Sequence, residues 1–158
     1  MGKRTKTYFK GGKIMINERI SALRNLMEQN KIDAYVIPTS DEHGSEYLSD
    51  HFKTREYMSG FTGSAGTLVV TMYEALLWTD GRYFVQAAEQ LQDSEIKLMK
   101  AGEEGVPSVE DYLKKNLIEG SVIGFDGQTT NARLAEKLAE ISEMKIKSDV
   151  DFVGEIWS

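Results

Sequence analysis

The chain of 158 residues contains no cysteine, only two prolines and only two histidines, and these shortages limit its chemistry. Without cysteine there is no disulfide framework, no thiolate metal site and no cysteine nucleophile. No apolar run approaches the roughly 18 residues that a membrane-spanning helix needs. The basic N-terminus also lacks the continuous apolar segment of a signal peptide. We therefore expect a cytoplasmic protein without a membrane partner.

Positive charge is scarce outside the N-terminus. The first 13 residues carry five of the 19 basic side chains and no acid, so 14 basic residues face 25 acidic residues in the rest of the chain. An acidic body repels a phosphate backbone, which makes nucleic acid a poor partner. Hydrophobic residues at 41% and charged residues at 28% are ordinary for a globular protein. We interpret residues 1–14 as a flexible leader and residues 15–158 as one domain.

Hydrophobic periodicity predicts strands that alternate with helices. Strands are predicted in 33–38, 67–71, 75–79, 95–99, 121–125 and 145–147, and helices over 17–30, 81–92, 109–120 and 131–142 and from 151 onward. The third helix has a capping-box pattern at Ser108 and Asp111. For 81–92 the alternative is a tight turn at Asp80-Gly81 followed by a returning strand. This order, with one early hairpin, predicts an α/β fold in which helices flank a mixed β-sheet.

Three evenly spaced glycines, Gly60, Gly63 and Gly66, stand before a predicted strand. A dinucleotide fingerprint would need glycine where Thr62 stands, and a phosphate-binding loop would need a following lysine. No helix begins after them to hold a phosphate. We therefore interpret the segment as a loop that requires positive φ angles or close backbone approach.

Both histidines, His43 and His51, lie in an acidic segment, residues 41–51. Such a segment offers hard ligands for a divalent ion. The alternative is a solvated acidic loop. We favour the loop, because a catalytic metal site draws its ligands from several elements, and we assign no metal ligand here.

Arg82 lies in the first turn of a predicted helix, where a cation opposes the helix dipole. Asp80, two residues earlier, suits the cap of that helix. The charge of Arg82 must be compensated either within the chain, by Asp80 or a glutamate, or by an external carboxylate or carbonyl. The planar guanidinium fork fits both kinds of partner, and the residues alone leave both open.

Several ordered motifs together resemble the N-terminal domain of the creatinase/aminopeptidase P superfamily, in its three-domain Xaa-Pro aminopeptidases. They are D-x-H-x-S-E-Y at 41–47, S-G-F-T-G-S-A-G-T at 59–67, W-T-D-G-R-Y-F at 78–84, Q-A-x-x-Q-L at 86–91 and a closing E-I-W. The sequence departs at Lys53-Thr54-Arg55-Glu56, where relatives have a more arginine-rich pair.

The resemblance implies a non-catalytic domain, without a cofactor of its own, that borders a peptide cleft and helps a homodimer form. The complete enzyme would remove an N-terminal residue preceding proline, using manganese or zinc ions held in a C-terminal domain that this chain lacks. The substrates would be peptides with proline at the second position, and the isolated chain would be inactive. The resemblance also implies that Arg82 binds substrate. The alternative is an interaction module of the same fold that binds basic peptides, which an acidic body suits.

Overall fold

The computed structural model describes residues 2–39, 54–63, 65–125, 145–147 and 152–157. In this part of the chain the helices are α1 (Gly2–Gln29), α2 (residues 54–59), α3 (Phe84–Gln90), α4 (Val109–Asn116) and α5 (Phe152–Trp157). A short 3₁₀ turn, Gly81–Tyr83, leads into α3. The strands are β1 (Ala34–Thr39), β2 (Gly66–Thr71), β3 (Ala75–Thr79), β4 (Ile96–Lys100), β5 (Val122–Gly124) and β6 (Lys145–Lys147).

The six strands form one mixed sheet in the order β4-β3-β2-β1-β5-β6. The pairs β1–β2 and β2–β3 are antiparallel, whereas β3–β4, β1–β5 and β5–β6 are parallel. The antiparallel centre contains the predicted hairpin, and the parallel pairs flank it. The predicted fold class, an α/β fold with a mixed sheet flanked by helices, is confirmed.

A buried layer covers each face of the sheet, because successive residues of a strand point to opposite faces. On β1, Tyr35 and Ile37 belong to the layer that contains α1 and α5, and Val36 belongs to the layer that contains α4. Tyr35 stacks on Phe152 of α5, with the ring centroids 5.3 Å apart. Each fully buried large apolar side chain stabilises the fold by about 1.5–3 kcal/mol, so the helices are fixed on the sheet from both sides.

The start of the first helix and the end of the first strand differ from their predicted positions. Helix α1 begins at Gly2, so residues 2–14, predicted as a flexible leader, continue the helix. No proline interrupts this stretch, and the backbone ladder can therefore run on through it. Strand β1 continues past Pro38 to Thr39, although we expected the proline to end it. Along β1, only Ala34 and Tyr35 pair with β5, so the far end of β1 has no described neighbour on that side and tolerates a missing N–H.

The remaining predictions for described residues place the elements correctly but not all of their ends. Residues 81–92 form the 3₁₀ turn and α3, not a returning strand. Helix α4 has the predicted cap, in which the Ser108 hydroxyl accepts from the Asp111 N–H. It ends at Asn116 rather than at residue 120, because Leu117 is extended. The predicted helix over 131–142 lies outside the described residues.

The glycine loop requires glycine for the reasons that the spacing suggested. Gly60 has a φ of +76°, in the left-handed region that favours glycine. A Cβ at Gly63 would overlap the ring of Phe61, which is fully buried. A Cβ at Gly66 would lie 3.1 Å from the Trp78 carbonyl oxygen. The interpretation as a loop of positive φ and close approach is therefore confirmed.

A buried arginine, Arg55 of α2, holds this loop. Its exposed fraction is 0%, and its Nη2 donates to the carbonyl oxygens of Phe61 and Gly63. The guanidinium carbon lies 4.8 Å from the centroid of the Phe61 ring. Burial lowers the pKa of Arg55 to about 10, against smaller raising effects of the charges of Glu56 and Tyr83. The side chain therefore stays charged at neutral pH and ties α2 to the loop.

A second polar cluster ties the β2–β3 hairpin to α4 and β4. The Tyr112 hydroxyl donates to Glu74 Oε2, and Lys97 Nζ lies 3.0 Å from Oε1. These two bonds, the one from Tyr112 first, lower the pKa of the Glu74 carboxyl. Burial, and then the bond to Glu74, raises the pKa of Tyr112. The pair therefore consists of a carboxylate and a protonated phenol at neutral pH.

Replacing Arg55 by leucine is expected to destabilise the fold by about 3 kcal/mol, because the buried carbonyls of the loop lose their charged donor. Urea denaturation gives the free energy of unfolding. The matched control is Arg82→Leu, at a side chain that is 57% exposed, where the expected cost is below about 1 kcal/mol. Equal costs at the two positions would contradict the role given to Arg55.

The stabilisation by Glu74 should depend on pH. Its pKa is lower in the folded protein than in the unfolded chain, where it is about 4.3. This contribution is therefore fully present above the unfolded value and is lost as the pH falls through the folded value. Urea titrations between about pH 5 and pH 3 give the free energy of unfolding at each pH. This free energy should fall less with decreasing pH in Glu74→Gln than in the parent protein. Tyr112→Phe should also weaken the pH dependence of the free energy of unfolding. An unchanged pH dependence in both variants would refute the stabilisation by ionised Glu74.

Candidate functional site

The candidate site lies where β3 ends and the chain turns into the 3₁₀ turn and α3. Asp80 is the cap of that turn, and its Oδ1 accepts from the backbone N–H of Arg82 at 3.0 Å. The extended backbone of Asp80, with φ −93° and ψ 176°, lets the carboxylate fold back over the turn. The site thus begins as an ordinary helix start with a basic residue in its first turn.

Arg82 is held by Asp80 through two side-chain hydrogen bonds. Its Nε donates to Oδ1 at 3.0 Å, and its Nη2 donates to Oδ2 at 2.9 Å. These side-chain bonds are the main cause that lowers the pKa of Asp80. The side chains are 57% and 43% exposed, respectively. Of the two partners that the sequence left open, the structure shows the internal one, in a fork that leaves the guanidinium at the surface.

A row of aromatic contacts connects Arg82 to the glycine loop. Its guanidinium carbon lies 5.0 Å from the centroid of the Tyr83 ring. That ring meets Phe61 edge to face, with centroids 6.0 Å apart and planes at 81°. Phe61 is the ring on which Arg55 lies. The corner that carries Arg82 is therefore packed against the loop that Arg55 holds.

Two glutamines of α3 bind the exposed tip of the loop, Thr62. The side chains of Gln86 and Gln90 donate from Nε2 to Thr62 Oγ1 at 2.8 and 2.9 Å. The Thr62 N–H donates to Gln90 Oε1 at 2.9 Å. Residues four apart on a helix lie on one face, which accounts for the Q-A-x-x-Q spacing. This contact was not predicted, although the polar spacing of Arg82, Gln86 and Gln90 in the sequence indicates one polar helix face.

The other sequence-predicted candidate cannot be placed. The acidic segment 41–51, with His43 and His51, lies outside the described residues. Within the described ranges, no group of three or more histidine, cysteine, aspartate or glutamate residues is arranged to hold a metal ion. In the same ranges, no helix combines the length and the apolar character needed to cross a bilayer.

A pocket of about 390 Å³ lies at the opposite end of β3, beside the hairpin. Its two carboxylates already have partners within the fold, because Glu74 accepts from Tyr112 and Lys97, and Asp33 accepts from the Val122 N–H. The Arg82 corner is therefore the better candidate, since it presents a fixed charged group at the surface.

Comparisons with known proteins agree with the fold. The chain is 43% identical over 152 residues to aminopeptidase P2 of Arabidopsis thaliana, covering 92% of this chain and 21% of that protein. It is 45% identical over 129 residues to a probable Xaa-Pro aminopeptidase P of Penicillium rubens, covering 82% and 21%. The chain thus spans about a fifth of the length of these relatives.

Among solved structures, the X-prolyl aminopeptidase of Caenorhabditis elegans superposes with a TM-score of 0.78 at 37% identity, covering 90% of this chain and 25% of that one. That protein is described as a cytosolic enzyme with a di-nuclear active site. The family model of the creatinase/prolidase N-terminal domain matches residues 19–156. The chain therefore belongs to the creatinase/prolidase N-terminal domain family.

Proposed function

We propose that this chain is the non-catalytic N-terminal domain of an Xaa-Pro aminopeptidase, in which it shapes the peptide cleft and contributes to a dimer interface. The observation that carries the proposal is the guanidinium of Arg82, fixed by Asp80 at an exposed corner inside the W-T-D-G-R-Y-F motif. The similarity to aminopeptidases, 21% of whose length the chain covers, supports it. The substrates are peptides with proline at the second position.

The role of Arg82 follows from its geometry. A guanidinium has five N–H donors in a planar fork, and the side-chain bonds to Asp80 run from Nε and Nη2. Its plane is held in one orientation before a ligand arrives, which lowers the ordering cost of binding. Such a group suits a carbonyl or carboxylate oxygen of a peptide. Arg82 is thus proposed to bind substrate and not to take part in bond cleavage.

We assign no step of hydrolysis to this chain. Its described residues do not fit a metal centre, because they bring no cluster of suitable ligands together. The divalent ions, manganese or zinc, would be held by a C-terminal domain, where one supplies an activated water for attack on the peptide carbonyl. The cytoplasm is proposed as the location, in line with the cytosolic relative.

A second candidate is an interaction module that binds basic peptides. The net charge of −6 favours it, since an acidic surface attracts basic partners. It differs from the first candidate in having no preference for proline. A pull-down with basic peptides at low salt, with and without proline at the second position, separates the two.

The reading frame that encodes this chain is expected to continue into a metallopeptidase domain. The full-length protein, supplied with manganese, should cleave an Xaa-Pro peptide, and the 158-residue chain alone should not. Release of the N-terminal amino acid is the measurement. A frame that stops at Ser158 would contradict the proposal, and so would turnover by the isolated chain.

Substitution of Arg82 by alanine in the full-length enzyme is expected to lower kcat/KM about tenfold or more, the loss of roughly one charged hydrogen bond. The matched control is Lys97→Ala, which removes another exposed ion pair at the far end of β3 and should leave kcat/KM within about twofold. Circular dichroism melting checks that both variants are folded. An unchanged kcat/KM in Arg82→Ala would remove Arg82 from the substrate site.

A further inference from the structure

We propose that the Thr62 hydroxyl is a second, directed hydrogen-bond donor to the peptide, beside Arg82. The inference rests on the proposed function, because it names another contact of the same site. Its ligand is an acceptor oxygen of the peptide, either a main-chain carbonyl or the terminal carboxylate. Thr62 is exposed at the tip of the glycine loop, and the hydrogen bonds around it determine the direction of its own proton.

The orientation of the two glutamine amides follows from one backbone group. The Thr62 N–H can only donate, so the atom that receives it is the oxygen of the Gln90 amide. The nitrogen of that amide then donates to Thr62 Oγ1 at 2.9 Å. The Gln86 nitrogen lies 3.4 Å from the Gln90 oxygen and 2.8 Å from Thr62 Oγ1. In this orientation the Gln86 nitrogen donates to both oxygens, whereas a flipped amide would lose the bond to Gln90, so both amides are assigned as donors to the hydroxyl.

A hydroxyl oxygen has two acceptor positions and one O–H donor. The two amides occupy both acceptor positions of Thr62 Oγ1. The proton of Thr62 must therefore point away from Gln86 and Gln90, toward the exposed side of the loop. The network thus converts an adaptable hydroxyl into a donor with one direction.

The loop on either side of Thr62 keeps that direction fixed. Phe61 and Gly63 are both buried, and Arg55 binds the carbonyl oxygens of both. A Cβ at Gly63 would overlap the Phe61 ring, so the backbone has little freedom to shift. A donor held in this way loses little entropy when a ligand accepts its bond.

Arg82 and Thr62 belong to one surface. Arg82 precedes Gln86 by four residues, about 6 Å along a helix, and Gln86 binds Thr62 directly. The contacts from Arg82 to Tyr83 and from Tyr83 to Phe61 join the same two places. Both groups offer N–H or O–H donors, so the ligand that fits must supply acceptor oxygens. A basic side chain offers only donors and would not fit.

The test measures steady-state kinetics of the full-length enzyme with Xaa-Pro peptides that end in a free acid or an amide. Thr62→Val removes the hydroxyl at nearly constant volume and should raise KM about tenfold at unchanged kcat, the loss of one hydrogen bond made equally in the ground and transition states. Thr62→Ser keeps the donor and should stay within about twofold. An effect that persists with amidated peptides identifies a main-chain carbonyl, and one confined to free acids identifies the terminal carboxylate.

Two further variants separate donation from structural support. Gln86→Ala removes one of the two amides that direct the Thr62 proton but leaves the O–H itself, so its KM should rise by clearly less than that of Thr62→Val. Thr62→Asp keeps acceptor oxygens for both glutamines and has no O–H at neutral pH, so its KM should rise even if Thr62→Val fails to fold. Equal increases for Gln86→Ala and Thr62→Val would show a structural role only and overturn the inference.

The outcomes for the two proposals can be told apart. A normal KM in both Thr62→Val and Thr62→Asp, together with reduced turnover in Arg82→Ala, would overturn the inference and leave the proposed function intact. Absence of any Xaa-Pro cleavage by the full-length protein would overturn both.

Discussion

The arrangement of the site depends on one buried cation, Arg55. A charge in a protein core is costly unless hydrogen bonds compensate it, and here the carbonyl oxygens of Phe61 and Gly63 both accept from Nη2 of the guanidinium. The loop needs the arginine in return, because its buried carbonyls lie outside the strand ladder and require donors. With a pKa of about 10, Arg55 remains charged at neutral pH. Loop and guanidinium therefore form a mutually required unit.

The surface contacts of Arg82 and Thr62 depend on that unit. Phe61, fixed between Arg55 and the glycines, offers its ring to Tyr83. Tyr83 supports the guanidinium of Arg82, and the glutamines of α3 fasten Thr62 to the same helix. Two segments far apart in sequence thus form one rigid corner. The buried groups hold the backbone of this corner, and the exposed bonds from Asp80 and from the glutamines orient its side chains.

The sequence was most informative where the cause of the structure is local. The β2–β3 hairpin, the cap at Ser108 and the need for glycine at 60, 63 and 66 depend on neighbouring residues, and the patterns predicted them. The burial of Arg55 depends on a loop that closes over it, so in the sequence it looked like one charge in a polar run. The Thr62 contacts join residues 24 and 28 positions apart, so the spacing of the glutamines indicates a polar face of the helix but not which residue it binds. For Arg82 the sequence left a partner within the chain and an external partner both open. Only the fold shows that Arg82 binds Asp80.

An internal partner does not remove Arg82 from a binding role. An exposed ion pair contributes at most about 1 kcal/mol to stability, so a fork of this kind has little value as a structural bond. Its main physical effect is to fix the plane of the guanidinium. The corner then presents oriented donors on a chain whose net charge is −6. This combination favours some kinds of ligand over others. The net negative charge of the chain disfavours a free anion, whereas the donors favour oxygen acceptors. A peptide main chain satisfies both conditions, because its carbonyls accept hydrogen bonds without carrying charge.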